Sequence, residues 1–382
     1  MRHLTLTLIT WQVRVYGEIS VIRKQGIIVH TVRSEASTVP EAAKWWSPVD
    51  LTPGYFALVM GTGIVSVALH LCGYAVASEV LLAIAVVAYL VLVALNIWRI
   101  IAYRSAVMSD LSDIAQSFGF FTFVAGSGVI GSRLAMAGWW TPAAMLLIVA
   151  AVSWLFLGYI VPVVAVLGRA ERPIIKGANG LWFIWVVGAQ SVAMLSATLE
   201  PILTAAREIL AITAVFAWSL GLILYVAVAM FVALRLMTFP LDPREFNPPY
   251  WISMGALAIT VVAAARIAEM ASAPMVDATR GLVAGMAVLL WCFATWLIPA
   301  LFGVGIWRHL IHRVPLRYEP SLWSIVFPLG MYSVAGIYLG RVNELPIVET
   351  VGTAWLWIAV AAWALTFIAM IRAILLRIIR RR

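Results

Sequence analysis

The sequence contains ten apolar segments, each long enough to cross the hydrocarbon core of a lipid bilayer. A helix needs roughly 20 apolar residues to cross about 30 Å of hydrocarbon. The chain's 382 residues are 64% hydrophobic and only 11% charged, whereas a soluble domain is about half apolar and a quarter charged. A soluble core could not bury this much apolar surface. We therefore predict an all-α polytopic membrane protein with ten transmembrane helices.

Proline, glycine and charged residues separate the apolar segments, because proline lacks an amide and restricts the residue before it. The predicted spans are residues 53–73, 78–102, 112–132, 142–167, 178–198, 207–234, 249–270, 281–307, 321–340 and 353–377. We predict that residues 1–52 form a poorly ordered cytoplasmic extension. Residues 53–378 form the transmembrane domain, and residues 379–382 form a basic cytoplasmic tail.

The positive charges are divided unevenly between the two sides of the predicted membrane. Of the 26 Lys and Arg residues, five lie on the side away from the termini, which leaves 21 on the side of the termini. Because Lys and Arg collect in cytoplasmic loops, we predict a cell (inner) membrane location with both termini in the cytoplasm. The net charge of +9 is then a topology signal that also favours anionic lipids, and it does not indicate nucleic-acid binding. The five residues on the outer side are Arg133, Arg207, Arg266, Arg280 and Arg341.

A recurring pattern relates the odd-numbered spans. Tyr55, Phe120, Trp182, Trp251 and Trp323 occupy equivalent positions, 62 to 72 residues apart. A unit of that length holds two spanning helices, so we predict five helical hairpins around a central pore. Odd spans carry Gly, Ser, Thr and Pro in mid-membrane while even spans are uniformly apolar, which favours odd helices inside and even helices outside. The alternative, that the small residues only allow close packing, stays open.

The residue types needed for catalysis or cofactor binding are scarce. Cys72 and Cys292 cannot form a disulfide framework or a cysteine zinc site, and His309 and His312 have no carboxylate or cysteine partner nearby. No phosphate-binding glycine motif occurs, and no acidic residue lies at mid-membrane, where a cation or proton relay would need one. We predict no catalytic residue, metal site or cofactor, and a path better suited to anions than to cations.

Two segments resemble the tellurite-resistance/dicarboxylate transporter (TDT) family. They read PGYFALVMGTGI at residues 53–64 and WSIVFPLGM at residues 323–331. The family includes the bacterial permease TehA, the plant guard-cell slow anion channels, and fungal malate permeases and sulphite efflux pumps. The resemblance covers about residues 50–380. It implies a pore along the five inner helices and a homotrimer in which each protomer has its own pore.

The resemblance also implies an aromatic plug within a Trp-x-x-x-Phe pattern on the ninth helix. That pattern runs here from Trp323 to Phe327, so Phe327 is the candidate pore gate. Pro328 fits this role because it removes a backbone hydrogen bond and allows a kink beside the plug. Selectivity would come from pore width and from weak polar contacts. The candidate pore-lining residues are Gly61, Thr62, Gly63, Gly126, Ser127, Gly128, Gly188, Gln190 and Gly330.

We therefore expect a membrane permease or channel for small anions. The anions would be C4-dicarboxylates such as malate, or oxyanions such as sulphite or tellurite. An alternative is a proton-driven exporter of one such anion, which would confer sulphite or tellurite resistance. A membrane-embedded enzyme is disfavoured by the missing ligand sets, and a partner-binding scaffold is disfavoured by the lack of a sizeable extramembrane region.

Overall fold

The computed structural model describes residues 22–24, 27–29, 47–168 and 172–379. The chain divides between Val49 and Asp50 into two compact units. In the first unit, strands β1 (Ile22–Lys24) and β2 (Ile27–Val29) pair in antiparallel register. The predicted poorly ordered extension, residues 1–52, lies mostly outside the described residues and stays a prediction.

The described part of the second unit is helical. Ten of its helical segments are long and apolar enough to cross a membrane, which confirms the predicted fold class. The short α-helix α3 is not one of these ten segments, and it buries none of its residues. The α-helices are α1 (Ala57–Leu71), α2 (Ala75–Ala102), α3 (Arg104–Ser112), α4 (Phe121–Met136), α5 (Trp140–Leu167), α6 (Phe183–Leu199), α7 (Arg207–Thr238), α8 (Ile252–Ala268), α9 (Pro274–Ile306), α10 (Trp323–Val342) and α11 (Pro346–Ile379).

Some helices begin away from the boundaries that hydropathy predicts. Helices α9 and α11 start at Pro274 and Pro346, about two turns before the predicted residues 281 and 353. Proline is favoured in the first helical turn, and each of these helices has an acidic residue there, Asp277 or Glu349. A polar first turn lies outside the apolar run that hydropathy measures, which accounts for the difference.

The inner helices α1, α4, α6, α8 and α10 form a closed ring. Each contacts the next, and α10 returns to contact α1. The outer helices α2, α5, α7, α9 and α11 each pack on the inner helix that precedes them in the chain. The inner spans are 78–89% buried in their most apolar stretch, against 11–39% for the outer spans. The five-hairpin arrangement with odd spans inside and even spans outside is thereby confirmed.

Candidate functional site

A short 3-10 turn precedes each inner helix, and the five turns form a closed ring of their own, each contacting its neighbours. Three of the turns begin with proline, whose fixed φ suits a helix start and whose missing N–H would have no helical partner there. The turns are Pro53–Phe56, Ser117–Phe120, Gly180–Trp182, Pro248–Trp251 and Pro320–Leu322. The residues just before them, the N-caps, are Thr52, Gln116, Asn179, Asn247 and Glu319.

All five N-caps line a single cavity of about 340 Å³, which we call the vestibule. Because every hairpin contributes to its wall, the vestibule lies at the axis of the inner ring, at the end where the inner helices begin. The other lining residues are Pro53, Gly54, Ala115, Leu181, Pro249, Pro320, Ser321 and Ser324.

The vestibule combines five helix N-termini with mostly uncharged polar side chains. Each helix N-terminus carries a partial positive charge and unpaired N–H groups, which favour anions. Two amide side chains are already engaged: Asn179 donates to the Ala115 carbonyl at 3.0 Å, and Gln116 donates to Asp113 at 3.1 Å. Glu319 is the ionisable side chain among the described lining residues. The vestibule thus combines the partial positive charges of five helix N-termini with one carboxylate in its wall.

Tyr318 lies next to this carboxylate in the chain and remains neutral near pH 7. Burial raises the pKa of its phenol, and the neighbouring Tyr55 raises it further. The Tyr318 hydroxyl accepts a hydrogen bond from Trp323 Nε1 at 3.3 Å. This contact holds the loop before α10 against the first turn of that helix. The same turn contains Ser324, which lines the vestibule.

Phe327 lies on the side of α10 that faces the ring axis. Val326 packs on α1 and Pro328 packs on α8, while the Tyr332 hydroxyl bonds to the outer helix α9 at 2.7 Å. Helical periodicity directs Phe327 into the remaining sector, between the two inner neighbours. The side chain is 1% exposed, and Ser324, one turn earlier on α10, lines the vestibule. Phe327 therefore lies in the turn of α10 that follows the vestibule.

Pro328 lies inside α10, which continues as an α-helix on both sides of it. Proline has no N–H to donate to the carbonyl four residues earlier, which here belongs to Ser324. The helix is consequently held by fewer hydrogen bonds at the turn that carries Phe327. The freed Ser324 carbonyl belongs to a residue that lines the vestibule.

The six glycines predicted to line the pore lie at helix contacts. A Cβ added to any of them would come within 2.6 to 3.4 Å of a side-chain atom on a neighbouring inner helix. Small residues at such points let helix backbones approach closely, so close packing accounts for all six positions. The contacts are Gly61 with Val326, Gly63 with Val129, Gly126 with Val59, Gly128 with Ser191, Gly188 with Phe121, and Gly330 with Ile64.

The three polar residues predicted to contact the permeating ion each form a hydrogen bond to an outer helix. Thr62 accepts from Trp363 Nε1 on α11 at 3.0 Å, Ser127 Oγ lies 2.8 Å from the Tyr89 hydroxyl on α2, and Gln190 donates to the Trp218 carbonyl on α7 at 3.1 Å. An unpaired polar group is costly in an apolar environment, which favours these pairings. Phe327, Met331 and Val334 share one face of α10 by helical spacing, and all three are apolar and buried.

The N-caps were not singled out by sequence reasoning, although a signal was present. Each lies three or four residues before the equivalent aromatic position of the repeat, so extending the repeat alignment backwards would have found them.

Buried arginines were also missed. Arg99 and Arg235 are nearly fully buried and pair with Asp110 at 2.7 Å and Glu245 at 2.8 Å. A third, Arg133, is equally buried. Charge counting assigned each of the three to a side of the membrane but did not indicate burial, because hydropathy does not locate a side chain.

The chain is similar to known membrane and transport proteins. The family described as SLAC1, voltage-dependent anion channel, matches residues 50–371. An uncharacterized membrane protein of Mycobacterium tuberculosis is 56% identical over 148 residues, covering 39% of this chain and 75% of that protein. An uncharacterized transporter of Methanocaldococcus jannaschii is 22% identical over 333 residues, covering 84% of this chain and 92% of that protein. A second uncharacterized transporter of that organism is 23% identical over 207 residues, covering 54% and 59% of the two chains.

Proposed function

Because the chain belongs to the SLAC1 family, whose description is voltage-dependent anion channel, we propose that it conducts small anions along the axis of its inner ring. The family is one of channels and transporters, not of enzymes. The observation that carries the proposal is the vestibule, a cavity built by the N-termini of all five inner helices, which ends one turn before Phe327.

The electrostatics of the vestibule support an anion as the conducted species. Five N-terminal half-charges converge there, and each favours a negative ion by about 0.3–1 kcal/mol at an exposed site. No tight charged site is needed, because conduction requires binding weak enough to let the ion leave. The vestibule volume of about 340 Å³ has room for a C4-dicarboxylate such as malate, or for oxyanions such as sulphite and tellurite, and we propose these classes as substrates.

Phe327 is the proposed gate and Pro328 the residue that lets it move. A buried aromatic ring on the axis blocks an ion, since the ion would otherwise have to displace it or pass through hydrocarbon. The turn of α10 around Pro328 has one hydrogen bond fewer than an uninterrupted helix. A small change in α10 at this point would swing Phe327 away from the axis.

The proposed setting is the cell (inner) membrane, with the vestibule open to the cytoplasm. The excess of Lys and Arg on the side of the termini supports this orientation, and the described C-terminus of α11 lies on that side. The outer helices expose apolar side chains along their length, which suits contact with lipid. The TDT resemblance adds a homotrimer of independent pores to the proposal.

Anion flux into proteoliposomes tests the gate. We expect Phe327→Ala to raise the flux of chloride, nitrate, sulphite or malate, because it removes the ring from the axis. The matched control is Phe183→Ala, since Phe183 is equally buried but packs against Tyr225 of outer helix α7 at 5.3 Å. Unchanged flux in a folded Phe327→Ala protein would refute the gate. Absence of flux for every anion in both proteins would refute the function.

Glu319 favours a second candidate, a proton-driven exporter. A carboxylate in the vestibule wall can bind a proton on the side from which an exported anion enters. This candidate predicts anion movement driven by a pH gradient at zero membrane potential, and loss of that coupling in Glu319→Gln. A channel predicts instead that Glu319→Gln raises flux in both directions, because a repelling charge has been removed from the mouth. The matched control is Glu344→Gln, in the turn between α10 and α11.

A further inference from the structure

The inner helices carry basic side chains at the end opposite to the vestibule. His70, Arg133, Arg266 and Arg341 lie in the last turns of α1, α4, α8 and α10. Helix C-termini carry partial negative charge, which favours cations there. An anion on the ring axis would meet these negative helix ends, so positive side chains are needed at this end if anions are to pass.

Arg133 differs from the other arginines at this end. Arg266 pairs with Glu269 at 2.7 Å and Arg341 pairs with Glu349 at 2.8 Å, and all four side chains are partly exposed. Arg133 is 2% exposed and makes no ion pair with any residue that the structure describes. Its Nη1 atom is buried and has no hydrogen-bond partner among the described residues. It is a buried cation that no carboxylate of the described residues contacts.

The partner that Arg133 does have is uncharged. Its Nε and Nη2 donate to Ser78 Oγ at 3.1 and 2.9 Å. Ser78 Oγ donates its own proton to the Ser66 carbonyl at 2.6 Å, and Ser66 Oγ donates to the Ser78 carbonyl at 2.6 Å. This paired clamp between α1 and α2 orients the guanidinium but does not neutralise it. Glu79, next in the chain, is exposed and interacts with Arg133 only electrostatically.

The two other deeply buried arginines differ from Arg133 because each forms an ion pair. Arg99 and Arg235 each have a carboxylate within 2.8 Å. A buried charge without such a partner is costly, and ionisable groups within membrane spans commonly serve ion pathways. Arg133 therefore retains a positive charge that a helix contact alone does not require.

We propose that Arg133 determines the preference for anions over cations at the C-terminal end of the inner ring. It stands on an inner helix, within about one helix diameter, roughly 10 Å, of the axis. Ser78 lies on outer helix α2, so the guanidinium that it holds acts on an anion through its electric field and not by direct contact. This inference rests on the proposed function.

The test is the chloride-to-potassium permeability ratio, taken from reversal potentials across bilayers containing the purified full-length chain. We expect Arg133→Gln to lower this ratio about a hundredfold, because a unit charge roughly 10 Å away at an effective dielectric constant of about 20 favours chloride about tenfold and disfavours potassium about tenfold. Arg133→Lys keeps the charge and should keep most of the selectivity. The matched control Arg341→Gln should change the ratio by less than about twofold, because its charge is already paired and partly exposed to solvent.

Two serine variants separate charge from structure without removing Arg133. Ser78→Ala removes the hydrogen bonds but keeps the charge, so selectivity should persist even if stability falls. Ser78→Asp places a carboxylate where the guanidinium already points, so selectivity should fall as in Arg133→Gln, and the new ion pair offsets the lost hydrogen bond to the Ser66 carbonyl. A wild-type ratio in Arg133→Gln or Ser78→Asp overturns this inference but not anion conduction. A wild-type chain that conducts no anion overturns both.

Discussion

Gly255 of α8 and Pro328 of α10 touch where two inner helices meet beside Phe327, and a Cβ on Gly255 would lie 2.8 Å from the proline Cγ. The contact holds the kink-prone turn of α10 against a helix surface that has no side chain. Proline and glycine are thus matched across the interface, and the position of Phe327 depends on both.

We expect Gly255→Ala to destabilise the protein by about 1–3 kcal/mol, because overpacking of a tight contact forces backbone shifts. The measurement is the unfolding midpoint in detergent micelles. Gly281→Ala in α9 is the control, since nothing lies within 4 Å of an added Cβ there. That substitution should stabilise α9 by up to about 1 kcal/mol, the helix-propensity difference between the two residues. Equal effects at both sites would contradict the packing account.

Thr62→Val should weaken folding without changing ion selectivity. The substitution leaves the indole N–H of Trp363 without its acceptor, and an unsatisfied buried donor costs about 1–3 kcal/mol. Combining Thr62→Val with Trp363→Phe removes both partners, so a double-mutant cycle should return a favourable coupling energy. If Thr62→Val altered the permeability ratio at constant stability, Thr62 would have to contact the ion.

The buried guanidinium of Arg235 should matter far more than its carboxylate partner. Arg235 donates to the carbonyls of Lys176, Phe239 and Pro240 and to Glu245, and the Glu245 side chain is 55% exposed. We expect Arg235→Gln to cost about 2–4 kcal/mol through lost charge-assisted hydrogen bonds. Glu245→Gln should cost less than Arg235→Gln, because its amide oxygen can still accept from the guanidinium and the three backbone carbonyls remain as partners. Chemical unfolding of the two variants in parallel checks the order.

Labelling of Cys72 tests on which side of the membrane the loop after α1 lies and whether its thiol is buried. In a Cys292→Ser background, we expect a membrane-impermeant maleimide to label Cys72 from outside intact cells. Burial raises the pKa of the Cys72 thiol by disfavouring the thiolate, which is the reactive form. The labelling rate should therefore still be rising above about pH 8.5, the ordinary value for cysteine. Labelling only in inside-out vesicles would reverse the proposed orientation, and a plateau at the ordinary pKa would contradict burial.

Much of the architecture is predictable from sequence, because the physics behind it is local to the chain. Ten apolar runs predict ten spans, and the equivalence of Tyr55, Phe120, Trp182, Trp251 and Trp323 predicts five hairpins. The contrast between small-residue and uniformly apolar spans predicts which helices lie inside. Each of these depends on composition along the chain, because apolar segments of sufficient length partition into the bilayer.

The candidate site was only partly predictable. Phe327 and Pro328 came from a motif, and their placement beside the vestibule fits the roles proposed for them. The prediction for Thr62, Ser127 and Gln190 took polarity in an inner helix as a sign of the pore, yet these residues bond to outer helices. In a bundle surrounded by lipid, both sides of an inner helix are apolar, so the sequence carries little amphipathic signal to orient it.

The sequence by itself determined the number of spans, the five-fold repeat and the identity of the inner helices, because these follow from how apolar residues are spaced along one chain. Only the tertiary structure decided that five N-caps share one cavity, that the glycines are contact points, and that Arg133 is buried with no ion pair to a described residue. Those facts depend on which face of each helix meets which neighbour. That choice is made by packing among residues that are far apart in the chain, and no local pattern encodes it.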